Sequence, residues 1–103
     1  MDERKILGRA ISFYGSEIQM VVAVEELSEL QKELCKSLRQ ESDVQHIAEE
    51  IADVQIMLEQ MMMLYECHED VVIWRSKKVE RLYERLIRDG GMGGADNDQK
   101  TRC

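Results

Sequence analysis

Between Ser16 and Asp89 the chain contains neither glycine nor proline, and proline is absent throughout. Tight hairpin turns depend on residues that accept positive φ, and proline presets many loops. A long stretch without glycine or proline, rich in Glu, Leu, Lys, Met and Arg, favours helices instead. The fold class predicted is all-α. Gly15 ends a short first helix that starts at Ile6. Ser16-Glu17-Ile18-Gln19 has the S-x-x-Q form of a capping box and opens a second helix over about 16–39. Ser42-Asp43-Val44-Gln45 repeats that signal before a third helix, about 43–66. His68-Glu69-Asp70 puts acids where a fourth helix begins, and Gly90, Gly91, Gly93 and Gly94 mark its end. Residues 1–88 thus form one domain, and 89–103 read as a flexible polar tail.

Successive helical residues turn by about 100°. On that wheel Met20, Ala23, Leu27, Leu30, Leu34 and Leu38 make one stripe of the second helix. Val44, Ile47, Ile51, Val54, Leu58, Met61 and Tyr65 do so in the third, and Val72, Arg75, Val79, Leu82 and Leu86 in the fourth. Each is expected to face a core. Met20 to Val24 and Ile56 to Leu64 are apolar nearly all round, which a single short bundle does not bury, so a subunit interface is expected there. The run Met61-Met62-Met63 also suits flexible core packing.

The formal net charge is −7, which argues against a nucleic-acid or anionic-membrane binder and suits a chain that collects cations. Cys35, Cys67 and Cys103 are odd in number and lack C-x-x-C spacing, so they are read as free thiols of a reducing, cytoplasmic setting. No signal peptide or membrane span is apparent.

The acidic residues carry the chemistry. Beside the apolar stripe of the second helix lie Val22, Glu26, Glu29 and Glu33; beside that of the third lie His46, Glu50, Asp53 and Met57. Glu26 and Glu29 are i, i+3 neighbours, as are Glu50 and Asp53, so each pair can aim at one spot. If the two helices pair antiparallel, four carboxylates converge. Such stripes are either solvated faces or the ligands of a hard cation such as Mg2+, which takes oxygen ligands. The fourth helix has the opposite sign: Arg75, Lys77, Lys78, Arg81, Arg85 and Arg88 against Glu80 and Glu84, an excess of four positive charges. Carboxylates that hold a metal, with a basic row nearby, suit a polyphosphate. The basic row also complements the helix dipole, and Trp74 suits either an interface or a nucleobase.

Glu25-Glu26-Leu27-Ser28-Glu29, followed by Glu50-Ile51-Ala52-Asp53, has the form E-E-x-x-E … E-x-x-D. With the wording AVEELSELQKEL and HIAEEIADVQIMLEQ and a closing Lys78-Val79-Glu80-Arg81-Leu82, residues 16–86 resemble the MazG-like, all-α nucleoside triphosphate pyrophosphohydrolases. The resemblance implies a four-helix bundle completed by oligomerisation, as a homodimer or dimer of dimers. It implies Mg2+-dependent cleavage between the α- and β-phosphates, with Mn2+ as a substitute, releasing monophosphate and pyrophosphate. It makes Glu26, Glu29, Glu50 and Asp53 metal ligands, Glu25 a supporting carboxylate, and Lys78 and Arg81 phosphate contacts. The chain carries one copy of the motif, unlike two-domain MazG enzymes. A relative acting on phosphoribosyl-ATP shares the broad fold. Two other readings compete: a non-enzymatic helical adaptor using the Met-rich surface, and a sensor that binds nucleotides without hydrolysing them.

Overall fold

The computed structural model describes residues 1–41 and 43–93. The order is α1 (Glu3–Tyr14), α2 (Ser16–Leu38), α3 (Val44–Tyr65) and α4 (His68–Arg88), with no strand among the described residues. The all-α class is as predicted. Met1–Cys67 form one compact unit, and a second begins at His68.

α1 starts three residues before the predicted position because Asp2 caps it: the Asp2 carboxylate accepts a hydrogen bond from the Lys5 backbone N–H at 3.2 Å. Gly15 alone joins α1 to α2. Its φ of 100° and ψ of 147° belong to a region that side chains disfavour, and its N–H donates to the Ile11 carbonyl at 2.9 Å. A Cβ at this position would meet nothing within 4 Å, so backbone conformation alone demands glycine.

The expected capping box at Ser16 does not form. Gly15 is the cap of α2, without a side-chain hydrogen bond, and the amide of Gln19 is instead buried between helices. At α3 the cap is Asp43, whose Oδ1 accepts from the His46 N–H at 2.9 Å; Ser42 lies outside the described residues. Three helices end in Schellman motifs. Residues Gln40 (φ 61°), Glu66 (φ 51°) and Gly90 (φ 83°) take the left-handed position. The following N–H groups reach back five residues, from Glu41 to Lys36, from Cys67 to Met62 and from Gly91 to Leu86. Only the last has the glycine that a sequence reader looks for. The turn over 89–93 thus belongs to the end of α4; the remainder of the tail, with Cys103, lies outside the described residues.

In the first unit α1 packs against both α2 and α3, and α2 pairs with α3. Gly8 admits the close approach of α3, since a Cβ there would come within 3.3 Å of Met63 Cε. The buried apolar residues are Leu7, Ala23, Val54 and Met57. The predicted core stripes need correction here. Leu27, Leu34 and Leu38 of α2 and Val44, Ile51, Leu58 and Tyr65 of α3 are exposed, while Gln19, Glu33, Met57 and Gln60 are buried. Ala23 and Val54 of the predicted stripes are buried as expected, so the inward face lies between those stripes and the acidic ones, taking in Glu33 and Met57 and leaving Glu29 and His46 exposed. A three-helix unit covers one face of each long helix, and periodicity does not say which.

α4 is amphipathic and buries none of its side chains. Glu69 and Asp70 sit in its first turn and Arg85 and Arg88 in its last, both favourable to the helix dipole. Lys77 and Lys78 place their ammonium groups 5.1 and 5.8 Å from the centre of the Trp74 ring, a cation–π arrangement. No helix among the described residues is long and apolar enough to cross a membrane.

Candidate metal centre

Two hydrogen bonds and one close approach set the register of α2 against α3. Met20 accepts from the Tyr65 hydroxyl at its sulfur, 3.8 Å; Gln19 donates to Gln60 at 2.7 Å; and a Glu26 carboxylate oxygen lies within 4.8 Å of one from Asp53. As α2 advances, α3 runs backward, so the hairpin is antiparallel. Advancing seven residues along either helix is close to two full turns. Gln19 and Glu26 therefore lie on one line of α2, as do Asp53 and Gln60 on α3. The amide pair thus leads directly to the carboxylates.

One oxygen from each of Glu26, Glu50 and Asp53 lies within 4.8 Å of the others, and all three residues are half-buried. The Glu26 carboxyl is held above the usual carboxylate range, first by burial, then by the hydrogen bond to Asp53 and the negative charges of Asp53, Glu50 and Glu29. Glu50 is likewise raised, first by burial and then by the charges of Asp53, Glu29, Glu49 and Glu33. Glu50 Oε2 is buried with no hydrogen-bond partner.

Of the four expected ligands, three stand in the close group. Glu29 is exposed at its edge, near enough for its charge to act on Glu26 and Glu50. Glu25 is exposed and outside the close group. His46 is exposed and contributes its backbone N–H to the α3 cap. Lys78 and Arg81 lie on α4, in the second unit. A cleft of about 420 Å3 between α1 and α3, lined by residues such as Leu7, Ala52 and Ile56, contains none of the acidic group.

Glu33 was legible in the sequence only as another member of the acidic stripe. It is 7% exposed, and its Oε2 pairs with Lys36 Nζ at 3.4 Å while Oε1 is buried without a partner. Its signal was spacing: it falls seven residues after Glu26, on the same line of the helix.

The donor set suits a hard divalent cation. It consists of carboxylate oxygens alone, it concentrates like charge that raises two of its own members, and it includes a buried oxygen that no protein group satisfies. In comparisons with models of known protein families, with curated protein sequences and with solved structures, the chain matches none.

Proposed function

We propose that this chain is a Mg2+-dependent nucleoside triphosphate pyrophosphohydrolase of the MazG-like kind, acting in the cytoplasm on the nucleotide pool. The observation that carries the reading is the convergence of Glu26, Glu50 and Asp53 within 4.8 Å, with an unpartnered Glu50 oxygen among them. Those three residues, with Glu29 at the edge, would hold Mg2+ or Mn2+. A bound divalent cation supplies Lewis acidity and charge neutralisation for phosphoryl oxygens.

The protein's own groups do the rest. Glu25, exposed on α2, is a supporting carboxylate that orients the cluster or the attacking water, and a carboxylate of the group takes the proton of that water. The water oxygen forms a bond to the α-phosphorus, and the bond from that phosphorus to the bridging oxygen breaks. Pyrophosphate leaves with the electron pair, and the nucleotide is released as monophosphate. The resemblance makes Lys78 and Arg81 of α4 contacts to phosphate, and positioning with charge neutralisation supplies most of the rate. No covalent intermediate is needed; Cys35 is exposed on α2, and Cys67 follows the end of α3.

The active form is a homodimer or a dimer of dimers. Support for this comes from the exposed side chains of Leu27, Leu34, Ile51 and Leu58 along the hairpin, a run of apolar surface that water disfavours.

The same surface favours a second reading, a helical adaptor that offers it to another protein. One experiment separates them: pyrophosphate release from a panel of canonical and modified nucleoside triphosphates, with Mg2+ and with EDTA. Metal-dependent release of pyrophosphate and monophosphate supports the enzyme. Tight Mg2+–nucleotide binding without release would point to a sensor. Neither binding nor release across the panel would overturn the proposal.

A further inference from the structure

The acidic group works against its own assembly. Glu26, Glu50 and Asp53 bring like charges within 4.8 Å of one another on two different helices. The apolar residues buried in the hairpin, Ala23, Val54 and Met57, attract without direction and tolerate a shift of one helix along the other. A shift of one turn moves a helix by about 5.4 Å, enough to disperse the three oxygens.

The constraint on that shift lies seven residues away on each helix. Gln19 is 7% exposed and Gln60 3%, and Gln19 Nε2 donates to Gln60 Oε1 at 2.7 Å. Seven residues are nearly two turns, about 10 Å along the axis. Forward from Gln19 that step reaches Glu26, and backward from Gln60 it reaches Asp53. An amide buried this deeply has little water to turn to, so its hydrogen bond is met in one alignment of the helices and lost in its neighbours.

We infer that Gln19 and Gln60 are positioning residues for the cation centre: their hydrogen bond fixes the α2–α3 alignment that sets Glu26 opposite Asp53 and so preorganises the ligands before a cation arrives. At two turns' distance the pair touches neither cation nor substrate and acts only through the helices. The inference rests on reading Glu26, Glu50 and Asp53 as cation ligands.

The test measures Mn2+ affinity by electron paramagnetic resonance of the free ion, beside urea denaturation of the same metal-free proteins. Gln19→Leu with Gln60→Leu is expected to keep the helical circular dichroism spectrum and most of the wild-type stability. It should nevertheless bind Mn2+ about tenfold or more weakly, as when an outer partner of a metal ligand is lost. Leu7→Val trims a buried side chain of α1, outside the α2–α3 pairing, and should lower stability while keeping wild-type affinity. If the leucine pair fails to fold, Gln19→Met with Gln60→Met, closer to glutamine in shape, carries the same expectation. Wild-type affinity in the folded double variant overturns the inference and leaves the metal centre standing. An equal loss in Leu7→Val traces the effect to stability in general and also overturns it. No Mn2+ on the wild type overturns the metal centre and this inference together.

Discussion

Gln19 Nε2 donates to Gln60 Oε1 at 2.7 Å, and both side chains are buried where α2 crosses α3. A buried polar pair in a small apolar core specifies alignment, since sliding the helices would strand both amides. Gln60→Leu removes one partner and leaves the Gln19 amide unsatisfied, which should cost about 1–3 kcal/mol. The double replacement Gln19→Leu with Gln60→Leu should recover most of that loss. Urea denaturation of the wild type, the two single variants and the double variant measures the coupling, and a simple sum of the single effects would show that the hydrogen bond sets nothing.

Glu50→Gln and Asp53→Asn each remove a charged oxygen from the close group. Losing even an outer partner of a metal ligand typically costs 10–100-fold, so losing a ligand should lower pyrophosphate release by about a hundredfold or more. The helical circular dichroism signal should persist, because these substitutions relieve repulsion within the cluster. Wild-type turnover in both variants would show that the reaction centre lies elsewhere.

The raised carboxyls make stability depend on pH in a specific direction. Glu26 and Glu50 bind protons more readily when folded than their ordinary value of 4.5 allows. Their contribution is fully present below 4.5 and is lost as pH rises through the raised folded values. Metal-free protein should therefore gain thermal stability as pH is lowered from neutral toward 4.5. Asp43 has the opposite sign: the His46 N–H holds its carboxyl below the ordinary 3.8, so its stabilisation is lost as pH falls beneath that value. Saturating Mg2+ should reverse the slope of the upper limb, since protons and cation compete. Melting curves at stepped pH, with EDTA and with Mg2+, test this, and Glu50→Gln should flatten the upper limb.

Two backbone positions predict opposite outcomes. Gly15 sits at φ 100° with open space around it, so Gly15→Ala should destabilise by about 1–3 kcal/mol through conformation alone. Glu66 takes the left-handed position at φ 51°, where a side chain is unfavourable, so Glu66→Gly should stabilise by about 1 kcal/mol. Chemical denaturation of both variants gives the two signs directly.

Leu27 and Leu34 are 47% and 48% exposed on the second helix. If a second copy covers them, Leu27→Glu with Leu34→Glu should shift the chain from dimer or tetramer toward monomer in light scattering, while the hairpin core at Ala23, Val54 and Met57 remains intact. A wild type that is monomeric at high concentration would oppose the oligomer.

The all-α class and the approximate extent of each helix were legible because helix propensity and periodicity are local properties of the chain. The acid pairs were legible for the same reason: spacing of three and four residues on a helix places side chains together without reference to the fold. Helix ends at Gln40 and Glu66 were less visible, because their left-handed caps lack the glycine that usually announces them. Which stripe faces inward was decided only by tertiary structure. The leucine stripe of α2 and the acidic stripe beside it are both compatible with a helix, and the choice between them depends on what α1 and α3 offer in return. Packing Gln19 against Gln60 and Glu26 against Asp53 turned Glu33 inward with them. Sequence determined which carboxylates share a helical face; only the register of two helices decided which of their oxygens meet and which are left without a partner.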